Sequence, residues 1–167
     1  MGPATTVPEQ GKPEKPGEAE QGVTMPETEA ARRAGAERQA QLRGQEQEER
    51  LLKEVRQFEA EPIYFNFDEW DLTPAARATL SKKAAWLRVN LQFSLRIEGY
   101  CDERGTSEYN LALGERRADA AKKFLIALGI PGKRISTISF GEERPTDPRH
   151  TEEAWAKNRR DEFKLIK

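Results

Sequence analysis

Regular hydrophobic patterns begin about sixty residues into the chain and continue to its end. Ile63, Phe65 and Phe67 alternate with polar residues, as in a half-buried strand. Thr73 is followed by a proline, which is typical of a helix start, and apolar residues then recur every three or four positions as far as Asn90. The spacing predicts a strand followed by an amphipathic helix.

The pattern predicts further strands over residues 93–99, 135–140 and 162–166. Between them, one helix is expected to begin near Ser107 and a shorter one at Thr151. The buried face predicted for the first of these helices contains Leu111, Ala118, Ala121, Leu125 and Leu128.

These elements give the order β-α-β-α-β-α-β and predict an α+β domain over residues 61–167. Two strand-helix-strand crossovers indicate parallel neighbouring strands.

The part before this domain has a different composition. Residues 1–26 are rich in Pro, Glu, Gln and Gly with almost no aliphatic side chains, which favours a flexible segment. Residues 27–58 contain many good helix formers, but apolar residues are sparse until Leu51, so a solvated helix and plain disorder both remain open before Arg50. We therefore expect residues 1–60 to be a flexible leader, partly helical near its end.

Charge and composition argue against several classes of function. The 28 basic and 29 acidic residues give a net charge of −1, so a nucleic-acid partner is not expected. One Cys and one His are too few for a usual zinc site, and no phosphate-binding or dinucleotide-binding loop is present, so we expect no cofactor. A Cys-His hydrolase would need Cys101 and His150, but no nucleophile signature surrounds the cysteine, and we expect no enzyme.

Charged residues are concentrated where the second predicted strand gives way to a helix. Asp102 and Arg104 fall on the short turn, while Asn110, Leu113 and Arg117 recur at spacings of three and four along one helical stripe. An acceptor, a guanidinium and an amide could converge there on one small ligand. The alternative is a surface cluster of weak salt bridges.

This segment resembles the peptidoglycan-binding domain of the OmpA family, and within it the peptidoglycan-associated lipoproteins are the closer match. The resemblance rests on Asp102-Glu103-Arg104-Gly105-Thr106, Glu108-Tyr109-Asn110 and Leu113-Gly114-Glu115-Arg116-Arg117-Ala118, and it continues in residues 63–68, 140–145 and 157–160. Roughly the last two thirds of the chain are covered in order, which is far more specific than a single short motif. The chain departs from the family at Tyr100 and Cys101, where His and a small residue are usual.

The resemblance implies a mixed four-stranded sheet with its helices on one side and noncatalytic binding of the diaminopimelate in cell-wall stem peptides. Asp102 would accept from the ligand ammonium, and Arg117 would bind the ligand carboxylate through both edges of its guanidinium. By resemblance the other contacts come from hydrogen bonds, an apolar wall and a residue closing the mouth, namely Asn110 and Arg104, Phe67 and Leu113, and Asp68.

The resemblance also implies a tether between the outer membrane and the wall, on the periplasmic side of that membrane, in a Tol-Pal type system. We expect the membrane link to be an N-terminal lipid anchor absent from this chain; either the chain begins after the anchor or this member has none. The alternative is an envelope scaffold that docks mainly on protein partners, such as the β-propeller protein of the Tol system.

Overall fold

A computed structural model describes residues 2–4, 11 and 21–167. Contacts divide the chain into two compact units, Met1–Glu49 and Arg50–Lys167. Helix α1 covers Gln21–Ala60, including the segment for which helix and disorder were both open. Most of the predicted flexible segment at the start lies outside the described residues, and a division between leader and domain at residue 60 stays a prediction. None of the helices described is both long enough and apolar enough to cross a membrane.

The second unit contains the strands and helices predicted from the sequence, in the predicted order. They are β1 (Ile63–Tyr64), α2 (Pro74–Val89), β2 (Ser94–Tyr100), α3 (Ser107–Ala127), β3 (Ile135–Gly141), α4 (Glu152–Asn158) and β4 (Arg160–Ile166). Helices α2, α3 and α4 each begin after a threonine whose hydroxyl accepts a hydrogen bond from a backbone N–H three residues later, at 3.1 Å. These N-caps are Thr73, Thr106 and Thr151.

The four strands form one mixed sheet in the order β1-β4-β2-β3. Strand β4 is antiparallel to both β1 and β2, and β2 is parallel to β3. The predicted fold class is confirmed. The prediction that each crossover joins neighbouring strands is wrong for β1 and β2, because β4 lies between them. The crossover rule concerns strands that are adjacent in the sheet, and it does not exclude the insertion of a later strand.

The core lies between the sheet and the helices α2 and α3. It includes Leu80 and Leu87 from α2, Leu125 from α3, and Ile97 and Phe163 from the sheet, all at most 1% exposed. Burial of side chains of this size supplies the main stabilisation of such a unit.

Two glycines bring α3 into direct contact with the end of β2. A Cβ added to Gly99 would lie 1.9 Å from the Gly114 carbonyl oxygen, so neither strand nor helix could approach this closely with a side chain there. The close approach places α3 directly against the end of β2. Leu111, which the helical pattern placed on the buried face, is 44% exposed, because Asn110 and Leu113 occupy the buried stripe in this part of the helix.

Strand β1 ends earlier and β4 begins earlier than the sequence predicted. The chain leaves β1 after Tyr64 and turns at Asp68, a non-glycine residue with a φ of 56°, so Phe67 lies outside the sheet and is 53% exposed. Strand β4 begins at Arg160, because Arg160 and Asp161 already pair with β1. The charge of Asp161, which is buried, concealed this start in the sequence pattern.

Candidate functional site

A cavity of about 200 Å³ lies where β2 ends and α3 begins. All seven predicted site residues line it, and Cys101, Gly105 and Tyr109 complete the lining. We call the buried residues Asn110, Leu113 and Arg117 the floor, and Phe67, Asp68, Arg104 and Tyr109 the rim. The residues predicted to converge are therefore adjacent to one space, and their contacts with a ligand stay a prediction.

Arg117 on α3 joins three segments of backbone at the floor. Its Nε donates to the Glu69 carbonyl at 2.8 Å, Nη1 to the Tyr100 carbonyl at 3.1 Å and Nη2 to the Asn66 carbonyl at 3.0 Å. The side chain is 0% exposed, and burial lowers the pKa of Arg117. These hydrogen bonds hold the guanidinium at the floor of the cavity, next to the Cys101 thiol.

Asp102 is paired with Arg104, two residues later on the same turn. Its Oδ1 accepts from the Arg104 Nε at 3.2 Å and its Oδ2 accepts from Nη2 at 2.9 Å, while the Arg104 backbone N–H also donates to Oδ1 at 3.0 Å. Burial by itself would raise the pKa of Asp102, but the hydrogen bonds from Arg104 outweigh it and hold the pKa below its ordinary value of 3.8. The carboxylate is therefore ionised at neutral pH.

Arg104 brings a positive charge to the rim and keeps donors free. Its Nε and Nη2 are directed at Asp102, and within residues 28–167 no protein acceptor is hydrogen-bonded to Nη1. The guanidinium lies 3.8 Å from the centre of the Phe67 ring and 4.3 Å from that of Trp155. The site thus offers an acceptor, Asp102, beside a planar donor held between two aromatic rings.

Asn110 connects the floor to the turn after β2. Its Nδ2 donates to the Asp102 carbonyl at 3.3 Å and to the Arg104 carbonyl at 3.0 Å, and its side chain is 1% exposed. Both amide hydrogens are therefore used to hold the turn, and the side-chain oxygen is the group that remains for a ligand hydrogen bond.

The rim is closed on one side by a contact between side chains. The Tyr109 hydroxyl donates a short hydrogen bond to the Asp68 carboxylate, although both residues are exposed. This bond raises the pKa of Tyr109. Asp68 was predicted to help close the mouth, and it lies at the exposed side of the cavity.

The two residues that depart from the family pattern have different surroundings. The Tyr100 ring stacks on Phe140, with centroids 5.4 Å apart, and its hydroxyl donates to Glu98 at 2.9 Å, so its side chain does not line the cavity. Cys101 does line it, and its thiol donates to the Asn110 carbonyl at 3.1 Å. Burial raises the pKa of Cys101 to about 11, which keeps the thiol protonated and is unfavourable for a nucleophile.

Sequence reasoning gave no role to Arg159. Its Nη1 lies 3.5 Å from the Asp102 carboxylate, and its Nε donates to the Phe65 carbonyl at 2.9 Å. Arg159 belongs to the last segment on which the resemblance rests, but 57 residues separate it from Asp102, and only the insertion of β4 brings the two together.

Asp161 is a second charged residue that the sequence did not single out. It is 0% exposed on β4, and within the described residues neither carboxylate oxygen has a hydrogen-bond partner. Burial raises the pKa of Asp161 well above its ordinary value, and the charge of Arg117 offsets this only in part. Burial therefore favours the protonated form of Asp161, in the neighbourhood of Arg117.

A sequence profile of the OmpA family matches residues 64–159, which is more than half of the chain and includes every residue lining the cavity. The chain belongs to the OmpA family. The resemblance stated from the motifs is thereby confirmed.

Several OmpA-family relatives are peptidoglycan-associated lipoproteins. The one from Brucella melitensis is 49% identical over 98 residues, covering 59% of this chain and 58% of the relative. The one from Haemophilus influenzae is 45% identical over 98 residues, covering 59% of this chain and 64% of the relative. The matches thus span about three fifths of the length of these relatives.

Solved structures agree with this OmpA-family fold. The peptidoglycan-associated lipoprotein of Burkholderia pseudomallei superposes with a TM-score of 0.61 at 39% identity, covering 63% of this chain and 89% of that one. The C-terminal domain of Helicobacter pylori MotB gives 0.60 at 21% identity, covering 64% and 84%, which shows a shared fold alone.

Proposed function

We propose that this OmpA-family domain binds peptidoglycan without catalysing a reaction, through the diaminopimelate of the stem peptide. The observation that carries the proposal is an ionised Asp102 beside Arg104, whose Nη1 hydrogens have no acceptor among residues 28–167, on a cavity of about 200 Å³. Diaminopimelate has an ammonium and a carboxylate on one carbon. Its recognition requires an acceptor and a donor a few ångströms apart, and this arrangement supplies both.

The proposed roles follow from burial and from the donors that remain. Asp102 accepts from the ligand ammonium, and Arg104 donates from Nη1 to the ligand carboxylate. Arg117 adds its positive charge from the floor, where a carboxylate reaches it only by entering the cavity. Asn110 accepts through its side-chain oxygen.

The apolar part of the ligand also has complementary surface. Phe67 and Leu113 pack against the methylene groups that join the two ends of diaminopimelate, while Asp68 lies at the mouth. The ligand we propose therefore uses both the charged and the apolar lining.

The relatives support a location and a wider role. Because they are named peptidoglycan-associated lipoproteins, we propose a tether between the outer membrane and the wall on the periplasmic side, with a lipid anchor on the membrane side. A Tol-Pal type system with a β-propeller partner is the proposed setting.

Competition for wall binding tests the proposed ligand. Stem peptides with diaminopimelate should displace the protein from isolated wall at concentrations roughly tenfold to a hundredfold lower than those with lysine, because lysine lacks the side-chain carboxylate. The variant Arg104→Gln, which removes the donor proposed for that carboxylate, should lose most of this preference, and Arg116→Gln, a substitution on the exposed part of α3, is the matched control. Equal competition by both peptides would contradict the proposal and favour the scaffold alternative.

A further inference from the structure

Arg104 needs support from outside the cavity in order to act on a ligand. It lies on the turn after β2, its side chain is 30% exposed, and such a long side chain loses considerable rotamer freedom when it is held in one position. Asp102 fixes one edge of the guanidinium, but hydrogen bonds along one edge leave the plane free to tilt about that edge.

The guanidinium of Arg104 contacts two aromatic rings, Phe67 and Trp155, and their positions are fixed to different degrees. Phe67 is on the turn after β1 and is 53% exposed. Trp155 is on α4, is half-buried, and its Nε1 donates to Glu103 at 3.0 Å. His150 contacts the same Glu103 oxygen, and Glu103 directly precedes Arg104 in the chain. Trp155 is thus the ring whose position is fixed by both a helix and a hydrogen bond.

We propose that Trp155 is a positioning residue, which acts through Arg104 to direct the Nη1 hydrogens at the carboxylate of a diaminopimelate ligand. This inference rests on the proposed function. Trp155 does not line the cavity itself, so it affects binding through the guanidinium it covers. Its ring excludes water from one face of the cation, and the hydrogen bond to Glu103 keeps the ring over the guanidinium.

Substitutions at Trp155 and Arg104 together test the coupling. The probe is a soluble disaccharide tetrapeptide containing diaminopimelate, with affinity measured by calorimetry. Trp155→Leu should weaken binding by roughly threefold to tenfold, and Trp155→Phe, which keeps a ring, should restore most of the affinity. In an Arg104→Gln background, Trp155→Leu should cause no further loss. Equal loss in both backgrounds, or no loss in the parent protein, would overturn the inference.

A measurement without ligand separates failure of the inference from failure of the proposed function. In NMR spectra of the free protein, the Arg104 Nε–H signal should be shifted by both neighbouring rings, and Trp155→Leu should reduce this shift and speed exchange with water, although the Phe67 ring and the hydrogen bond to Asp102 remain. An unchanged signal would overturn the inference even if the parent protein binds the probe. A changed signal with no binding of the probe by the parent protein would instead refute the proposed function and, with it, the ligand-directing role of Trp155.

Discussion

The floor and the rim of the cavity hold their polar groups in different ways. On the floor, Arg117 and Asn110 are buried and donate to backbone carbonyls. On the rim, Arg104, Asp68 and Tyr109 make their contacts through side chains near solvent. A floor residue therefore stabilises the fold as well as the site, whereas a rim residue affects the site with little effect on folding. Folding and binding should be measured together to separate the two.

The largest expected effect is on folding, from a substitution on the floor. Arg117→Ala should reduce the free energy of unfolding by about 3–5 kcal/mol, because three carbonyl groups lose their buried donor at once. Urea denaturation measures the change. The neighbouring Arg116 is exposed, and Arg116→Ala should leave the unfolding curve almost unchanged. An equal loss of unfolding free energy in the two variants would show that Arg117 stabilises the fold no more than Arg116 does.

The second-largest expected effect is on ligand binding, from a substitution at Asp102, which lines the cavity between the floor and the rim. Asp102→Asn should weaken binding of a diaminopimelate peptide by about 1.5–3 kcal/mol, since a neutral amide cannot offset the charge of the ligand ammonium. Calorimetry with a soluble muropeptide measures this loss. Unchanged affinity would remove Asp102 from the site.

Asp161 should give a pH dependence of stability. The folded state retains the Asp161 proton that the unfolded chain releases near pH 4, because burial raises the pKa in the folded state. Stability should therefore fall as the pH rises above that value, and Asp161→Asn should remove this contribution, so that the variant is the more stable protein at pH 7. Urea denaturation of both proteins at pH 4, 5.5 and 7 tests the sign. A variant whose advantage shrinks as the pH rises would contradict the assignment.

The smallest effect is expected at the rim. Tyr109→Phe removes the hydroxyl that bridges to Asp68 and should increase the association rate of a muropeptide by roughly twofold, because the mouth opens without breaking that contact. Thermal unfolding should be unchanged. Stopped-flow fluorescence measures the rate, and a slower association would indicate that the hydroxyl contacts the ligand.

Much of the fold could be predicted from local patterns. Thr73, Thr106 and Thr151 cap the helices that were predicted to begin there, because capping depends on residues a few positions apart. The site residues within residues 102–117 were predicted for the same reason, since a short turn and one helical stripe bring them together.

The remainder depends on contacts between distant segments. Nothing local indicates that Arg117 donates to the carbonyls of Asn66 and Glu69, about fifty residues earlier, or that β4 brings Arg159 to Asp102. Asp161 was missed because a charged residue in a buried strand interrupts the hydrophobic alternation by which strands are recognised.

The central claim is that diaminopimelate binds in the cavity between β2 and α3. NMR mapping of the residues that the ligand contacts tests this claim most directly. A soluble disaccharide tetrapeptide with diaminopimelate would be titrated into the ¹⁵N-labelled protein, and backbone amide shifts would be followed. The account predicts the largest changes in the turn over residues 101–105 and at Asn110 and Leu113, with Thr137–Ser139 on the edge strand β3 unaffected. Largest changes at Thr137–Ser139 or along α1, with the turn unmoved, would contradict it.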